Sequence, residues 1–356
     1  MTSSRSVPRL RAAPSACLQA LALASLVGTL YAAPALGAAP LVVEIFSSES
    51  IHFHPAVPDT FASPGVTAEE NGRVVVTTVA VEPSEWPHRI VARVSTGPIP
   101  KDDVSVADPW DRAGNVQLRV PGGPPLELVK FVTAYGGVTE REVDVTHLAP
   151  ALEGECEFAG FVDTWLSPAW KLSLSLEFRP ADEWELLETN ASPAASDWVL
   201  PVLYEQDATA TDLGPSGYDV EVLIPEGTER VVLHYLTSGH CTDGRDEDEF
   251  KSKDNVMSVD GVVVERMRPW RDDCGSFRAV NPYTRRWSNG WWSSDYARSG
   301  WCPGDAVPPV RVDLTDHLTP GVHVMTFNVE GVRPRDENDH YGYWRLSAYL
   351  VGWMSD

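Results

Sequence analysis

In "KLSLSLEF", residues 171–178, apolar Leu172, Leu174, Leu176 and Phe178 alternate with Lys171, Ser173, Ser175 and Glu177. A helix would scatter these four side chains around its circumference. An extended strand places all of them on one face. The same short-period reading applies to "RVVLHYL" and "WRLSAYLVGW". "NVMSVDGVVVER" sets Asp260-Gly261 between two β-branched runs, the signature of a type I′ hairpin. "VPGGPPLELVKFV" predicts another hairpin, turning at Pro121–Pro124. The chain carries 26 Gly and 29 Pro, and long stretches of period 3.6 are missing. The expected fold class is all-β, built as sandwiches.

Two segments echo each other: "VDVTHLAPALEGECEFAGFV" from Val143 and "VDLTDHLTPGVHVMTFNVEG" from Val312. Each reads as a strand ending in Val-Asp-x-Thr, then a turn with His-Leu and Pro, then a new strand. One repeat per domain follows. "ADEWELLETNASPAASD", 181–197, reads as the linker, which gives an N-terminal domain over 40–190 and a C-terminal domain over 191–356. Residues 55–71 read as a loop.

Residues 1–39 read as a secretory signal: Arg5, Arg9 and Arg11, then an Ala- and Leu-rich run ending in small residues near Gly37–Ala39. Its apolar core is too short to span a membrane, and no later segment reaches ~18 apolar residues. An exported protein is expected, secreted or periplasmic. Loss of the leader, which holds three Arg and no acid, takes the formal charge from −23 to −26. So acidic a chain disfavours nucleic acid and anionic membranes as partners.

Four Cys follow the leader: Cys156, Cys241, Cys274 and Cys302. An even number in an exported chain suggests disulfides, and the absence of Cys-x-x-Cys argues against zinc. Five of the thirteen Trp lie in 270–301, namely Trp270, Trp287, Trp291, Trp292 and Trp301, and Cys274 and Cys302 bracket the last four. A bond there would remove unfolded-state entropy of roughly 3 kcal/mol by the chain-entropy model. Cys156 and Cys241 either pair together or leave a thiol free.

The intervening Ser, Asn, Gly, Arg and Asp are loop chemistry. Flat rings on loops cover the C–H faces of sugars, while neighbouring polar groups bond to hydroxyls; packing of irregular backbone is the competing explanation. Three acids stand beside aromatics: Asp111 in "DPWDRAGNVQLRV", Asp163 in "GFVDTWLSPAW", and Glu249 in the acid-rich "TSGHCTDGRDEDEFKSKDN". Each, taken alone, is more often a solvated surface acid. "IHFHP" sets His52 and His54 two apart, a spacing that copper sites in sandwich folds use, but no second such pair follows. No Gly-x-Ser-x-Gly elbow points to a serine hydrolase.

"WDRAGNVQL", "KFVTAYGGVTEREVDVTHL", "DTWLSPAW", "TSGH", "DEFKSKDNVMSV" and "YARSGWCPGDAVPPVRVDL" run in the order seen in the peptide-N-glycosidase F family. The chain resembles that family from about residue 90 to its end. The resemblance implies two side-by-side eight-stranded antiparallel jelly rolls and a secreted amidase. The expected substrates are N-glycosylated proteins or peptides, with no cofactor, no metal and a monomeric enzyme. It implies catalytic roles for Asp111, Glu249 and Asp163, the last where the family has Glu. Trp110, Arg112, Trp165, His240, Arg298 and Trp301 are expected against the substrate, with Arg112 keeping Asp111 ionised. The Cys of Gly-Trp-Cys-Pro-Gly is disulfide-bonded in the family, which supports Cys274–Cys302. The family's prototype also has Cys on both sides of its third acid, and a further disulfide just before Trp-Asp-Arg. Glu247, Lys251 and Ala107 stand at those places here. A glycan-binding protein of the same fold, with little or no catalysis, is the alternative.

Overall fold

The computed structural model of the chain describes residues 40–57, 62–82, 88–180, 195–243 and 248–355. The expected leader and most of the expected linker, residues 181–194, lie outside the described residues. Strands β1 (Leu41–Ile51), β9 (Trp170–Pro180), β4 (His88–Pro98) and β7 (Thr139–Asp144) form one sheet in that order. A second sheet runs β2 (Thr67–Glu69), β3 (Val74–Val81), β8 (Gly154–Val162), β5 (Ala113–Arg119) and β6 (Leu126–Val132). These two make the first jelly-roll sandwich, eight strands plus the three-residue β2. That edge strand is the one piece of regular pairing inside a stretch read from the sequence as loop.

The second sandwich has the same plan. One sheet is β10 (Trp198–Thr209), β17 (Gly342–Met354), β12 (Thr228–Cys241) and β15 (Val310–Asp313). The other is β11 (Tyr218–Ile224), β16 (Gly321–Val329), β13 (Asn255–Val259) and β14 (Val262–Met267). All pairings are antiparallel, and the order matches the first sandwich strand for strand. The sequence echo explains why. In each Asp-x-Thr turn the aspartate Oδ1 accepts from both backbone and hydroxyl of the threonine: Asp144 from Thr146 at 2.9 and 2.6 Å, Asp313 from Thr315 at 3.1 and 2.6 Å. Each threonine hydroxyl then accepts a backbone N–H from the neighbouring strand, Ile90 at 2.9 Å and Val231 at 3.2 Å. The turn ends one strand and docks it on the next, once per sandwich.

The alternating run of β9 behaves as its spacing dictates. Leu172, Leu174, Leu176 and Phe178 are buried against Phe46, Val116 and Phe158, while the residues between them are only half-buried. Full burial of each such side chain stabilises the fold by about 1.5–3 kcal/mol. Asp260 and Gly261 both adopt positive φ, +50° and +79°, as a type I′ turn requires.

Strands β6, β12 and β17 are buried on both faces because the sandwiches lie against each other along them. Val232, Leu236, Tyr349 and Val351 of the second sandwich join the core of the first. Polar groups cross the same seam: Lys130 Nζ donates to the carbonyls of Arg345 (2.9 Å) and Leu236 (3.4 Å), and Glu127 accepts from Ser347 Oγ. His147 Nε2 and Tyr349 Oη bond at 2.9 Å. Every one of these groups is buried, so each must find a partner across the seam or lose its hydration for nothing.

Candidate active site

Asp111 ends the loop that joins β4 to β5. The following residue is pinned to the end of β6 from both sides: Arg112 N donates to Thr133 Oγ1, and Thr133 N donates to the Arg112 carbonyl, both at 2.8 Å. Asp163 follows β8, the neighbour of β5, and its N–H bonds the Ala113 carbonyl at 2.9 Å. Sheet pairing therefore brings these two acids to one edge although 52 positions separate them. Glu249 comes from the second sandwich, in the loop after β12. Its carbonyl accepts from Ser299 N (2.9 Å), and the Ser299 carbonyl accepts from Gly239 N of β12 (3.0 Å). The structure thus gathers all three predicted acids at the seam.

Arg298 stands between two of them. Its Nε lies 3.2 Å from Glu249 Oε1 and its Nη2 lies 3.6 Å from Asp111 Oδ2. The guanidinium is 1% exposed, lies between the rings of Phe250 and Trp301, and also donates to the carbonyls of Tyr296 and Ser293 and to Tyr135 Oη. The two carboxyl groups keep 13% and 14% exposure, enough to be reached but not to be hydrated as in bulk water. Burial is the leading influence on both and raises them: Asp111 above the usual range, Glu249 to about 7. Arg298 opposes the shift in each case. The negative charge of Asp111 adds to it at Glu249. Tyr135, buried beside Asp111, is pushed well above 10 and stays a phenol that can donate to the acid.

Asp163 is held differently. Arg73 Nη1 meets its Oδ1 at 3.1 Å and Arg345 Nη2 meets its Oδ2 at 2.6 Å. Both oxygens carry a guanidinium, and Arg73 continues as a flat lid over the Trp165 ring, 4.8 Å from its centroid.

Two cavities meet at Asp111, Glu249 and Trp110. One, about 880 Å³, is walled by Trp270, Trp287, Trp291, Phe250 and Tyr296. The other, about 670 Å³, is polar, lined by Arg73, Arg112, Asp163, Asp207, Thr242 and Tyr341 with Trp165 at its rim. Trp110, Trp165, Trp270, Trp287 and Trp291 present exposed rings, while Trp301 is 3% exposed. The loop that carries Trp287, Trp291 and Tyr296 is closed by the Cys274–Cys302 disulfide. Cys156 and Cys241 are not joined to each other; Cys241 Sγ instead lies 3.5 Å from Glu249 Oε2.

Several sequence expectations need correction. Arg112 is the lesser of two cations that favour the ionised form of Asp111: its Nε and Nη2 bond Asp108 Oδ2 and Oδ1 at 2.9 and 3.1 Å, and the larger influence comes from Arg298, which faces the acid. Arg298 lines the first cavity, and its guanidinium bonds Glu249, Tyr296, Tyr135 and Ser293. Trp301 and His240 are nearly buried and contribute to the lining of the second cavity. The indole of Trp301 donates to the Gly239 carbonyl, and His240 stacks between Trp301 and Tyr343 with its Nε2 on Ser238 Oγ. Burial and three nearby cations keep that imidazole neutral, well below 6.5. His52 is buried with its ring against Gly72. Among the described residues no three His, Cys, Asp or Glu side chains are grouped as metal ligands. The sequence reading missed Arg73, Arg345, Tyr135 and Asp108. Only Arg345 gave a signal, as a lone cation in the apolar run of β17.

Comparison with known proteins follows the same geometry. Residues 213–351 match the family model described as peptide-N-glycosidase F, C terminal. The chain is 25% identical over 238 residues to the peptide-N(4)-(N-acetyl-beta-D-glucosaminyl)asparagine amidase F of Elizabethkingia miricola, covering 63% of this chain and 62% of that protein's length. Among solved structures, PNGF-II superposes with a TM-score of 0.77 at 22% identity, over 89% of this chain and 66% of its own. PNGase F of Flavobacterium meningosepticum, described as a glycosylasparaginase, gives 0.66 at 17% identity over 90% and 97%. The resemblance read from the motifs therefore stands: residues 213–351 match the C-terminal domain model of the peptide-N-glycosidase F family, and the chain has the jelly-roll fold of those structures.

Proposed function

We propose that this protein hydrolyses the amide joining an asparagine side chain to the first N-acetylglucosamine of an N-linked glycan, on glycoproteins or glycopeptides outside the cell. The observation that carries the reading is the pairing of Asp111 and Glu249, from different sandwiches, on the single guanidinium of Arg298. Two carboxyl groups so close to one cation, both raised by burial, favour a state with one proton between them near neutral pH. That state supplies a base and an acid at once. In this mechanism Asp111, ionised, takes a proton from the attacking water. Glu249, protonated below about pH 7, donates to the leaving glycosylamine nitrogen. Tyr135 steadies Asp111 through its phenol. Asp163, fixed by Arg73 and Arg345, is a permanent acceptor for sugar hydroxyls, and the exposed rings of Trp110 and Trp165 cover sugar faces. The products are a peptide Asp and a glycosylamine, which loses ammonia in water.

A catalytically silent glycan-binding protein is the second reading. Its support is Asp163, one methylene shorter than the family's Glu and tied on both oxygens. Incubation with a defined N-glycopeptide, read by mass, separates the two. Conversion of the linkage Asn to Asp with release of the intact glycan establishes the amidase. Binding with no mass change leaves a lectin.

A further inference from the structure

The two sandwiches repeat more than their strand order. Val91 pairs with Asp144 as Val232 pairs with Asp313, which equates β4 with β12. In that frame Pro98 matches Gly239, and their partners are Trp170 and Trp344. These tryptophans are both fully buried, and each indole N–H donates to a fully buried aspartate in the loop after the equivalent strand. Trp170 Nε1 reaches Asp108 Oδ2 at 3.2 Å, and Trp344 Nε1 reaches Asp248 Oδ1 at 3.0 Å. Asp111 lies three residues beyond the first aspartate, and Glu249 follows the second directly.

The other bonds of Asp108 run to the site. Asp108 accepts from Trp110 N (3.2 Å) and the Arg112 guanidinium, the residues on either side of Asp111, and from Thr164 Oγ1 (2.7 Å), the residue after Asp163. Asp248 accepts from Arg333 N at 2.9 Å and holds a positive φ of +66°, unusual for a residue with a side chain. Two glycines make room for it: a β-carbon at Gly342 would overlap its carboxylate, and one at Gly239 its carbonyl. A backbone held in a sparsely populated region persists only where its surroundings fix it.

The geometry assigns Asp108 and Asp248 as matched positioning residues: each anchors its acid-bearing loop on the buried indole of the equivalent tryptophan, Asp108 setting Asp111 and Asp248 setting Glu249. This rests on the amidase reading for the role of the two acids. It also accounts for loops that hold no disulfide: Cys274–Cys302 is the cross-link among the described residues, and it lies elsewhere.

The test uses the full chain with Trp344→Phe and Asp248→Asn on one side and Trp170→Phe on the other. Trp344→Phe removes the indole donor, and Asp248→Asn removes the charge while keeping the side chain's shape. Titration of the Glu249 carboxyl carbon by NMR is followed beside glycopeptide kinetics. A freed loop admits water, so the Glu249 midpoint is expected to fall by about one unit in both second-sandwich variants. In Trp170→Phe it is expected to move less, because Asp111 acts on Glu249 only through its charge. In turnover, kcat is expected to fall roughly 10- to 100-fold with KM within twofold, as misplacement of a reacting group does. An unmoved Glu249 midpoint in a folded Trp344→Phe or Asp248→Asn protein overturns the assignment, whatever its melting temperature. Absence of glycan release by the unaltered protein overturns the amidase reading instead, and the titration still decides the anchor.

Discussion

Arg298 Nη2 lies 3.6 Å from Asp111 Oδ2, across the boundary between the two sandwiches. The cation belongs to the second and the acid to the first, so the charge state of Asp111 depends on how the halves sit together. Asp111→Asn keeps the shape and removes the base. Release of glycan from a denatured glycoprotein is expected to fall by about 10²- to 10⁴-fold, the usual scale for loss of a general base. The thermal midpoint, read by circular dichroism, is expected to stay nearly unchanged. Full activity in this variant would discard the role given to Asp111.

Glu249 yields a prediction about pH. Its folded value, about 7, lies above its ordinary value of 4.5. A carboxyl raised in this sense adds stability that is fully present below pH 4.5 and is lost as pH rises through 7, where the buried group must ionise. Glu249→Gln is therefore expected to be more stable than the parent at pH 8, by up to about 3 kcal/mol by linkage. The two should converge near pH 4.5. Urea midpoints at the two pH values check the sign. Turnover of the parent should decline as pH rises above about 7, where the proposed acid loses its proton.

The aromatic wall divides into rings of opposite duty. Trp291 is 57% exposed in the first cavity, whereas Trp301 is buried. Trp291→Ala is expected to raise KM for glycopeptide about tenfold, as loss of one stacking face does, with a stability change within about 0.5 kcal/mol. Trp301→Ala is expected to cost about 3–5 kcal/mol in denaturant unfolding, as large-to-small changes in cores do. Equal destabilisation by both would refute the division.

Opening the Cys274–Cys302 bond removes a closure over a sequence separation of 28. A Cys274→Ser, Cys302→Ser double variant is expected to lose about 2–5 kcal/mol. Because Arg298, Trp287 and Trp291 ride on that loop, substrate affinity should weaken before the fold is lost. Isothermal titration with a glycopeptide, well below the new melting temperature, reads this directly.

How much of this was legible in the sequence depends on the distance over which a contact is decided. Alternation in 171–178 and the Asp260-Gly261 turn are local, and the strands formed where those patterns placed them. The Val-Asp-x-Thr echo is also local, and it disclosed the doubled architecture. Trp-Asp-Arg misled because it is local. Neighbouring side chains on extended backbone point to opposite faces, so Arg112 turns to Asp108 while Asp111 turns to the cleft. The partners of Asp163 are Arg73 and Arg345, 90 and 182 positions away. No spacing rule connects them. His240 and Trp301 are expected against the substrate by the resemblance, and no local pattern shows how far Tyr343 and Arg298 pack over them. Burial by a second sandwich leaves no period of its own in a strand that already has one buried face.

The ammonium of Lys130, spliced between two carbonyls of the opposite sandwich, has a practical consequence. The docked faces hold the halves in register. A protein produced as two separate polypeptides, divided between residues 180 and 195, should reassemble on mixing and regain turnover, while either polypeptide by itself stays inert. Split-fragment complementation of this kind would put the proposed deglycosylation under the control of whatever brings the pieces together.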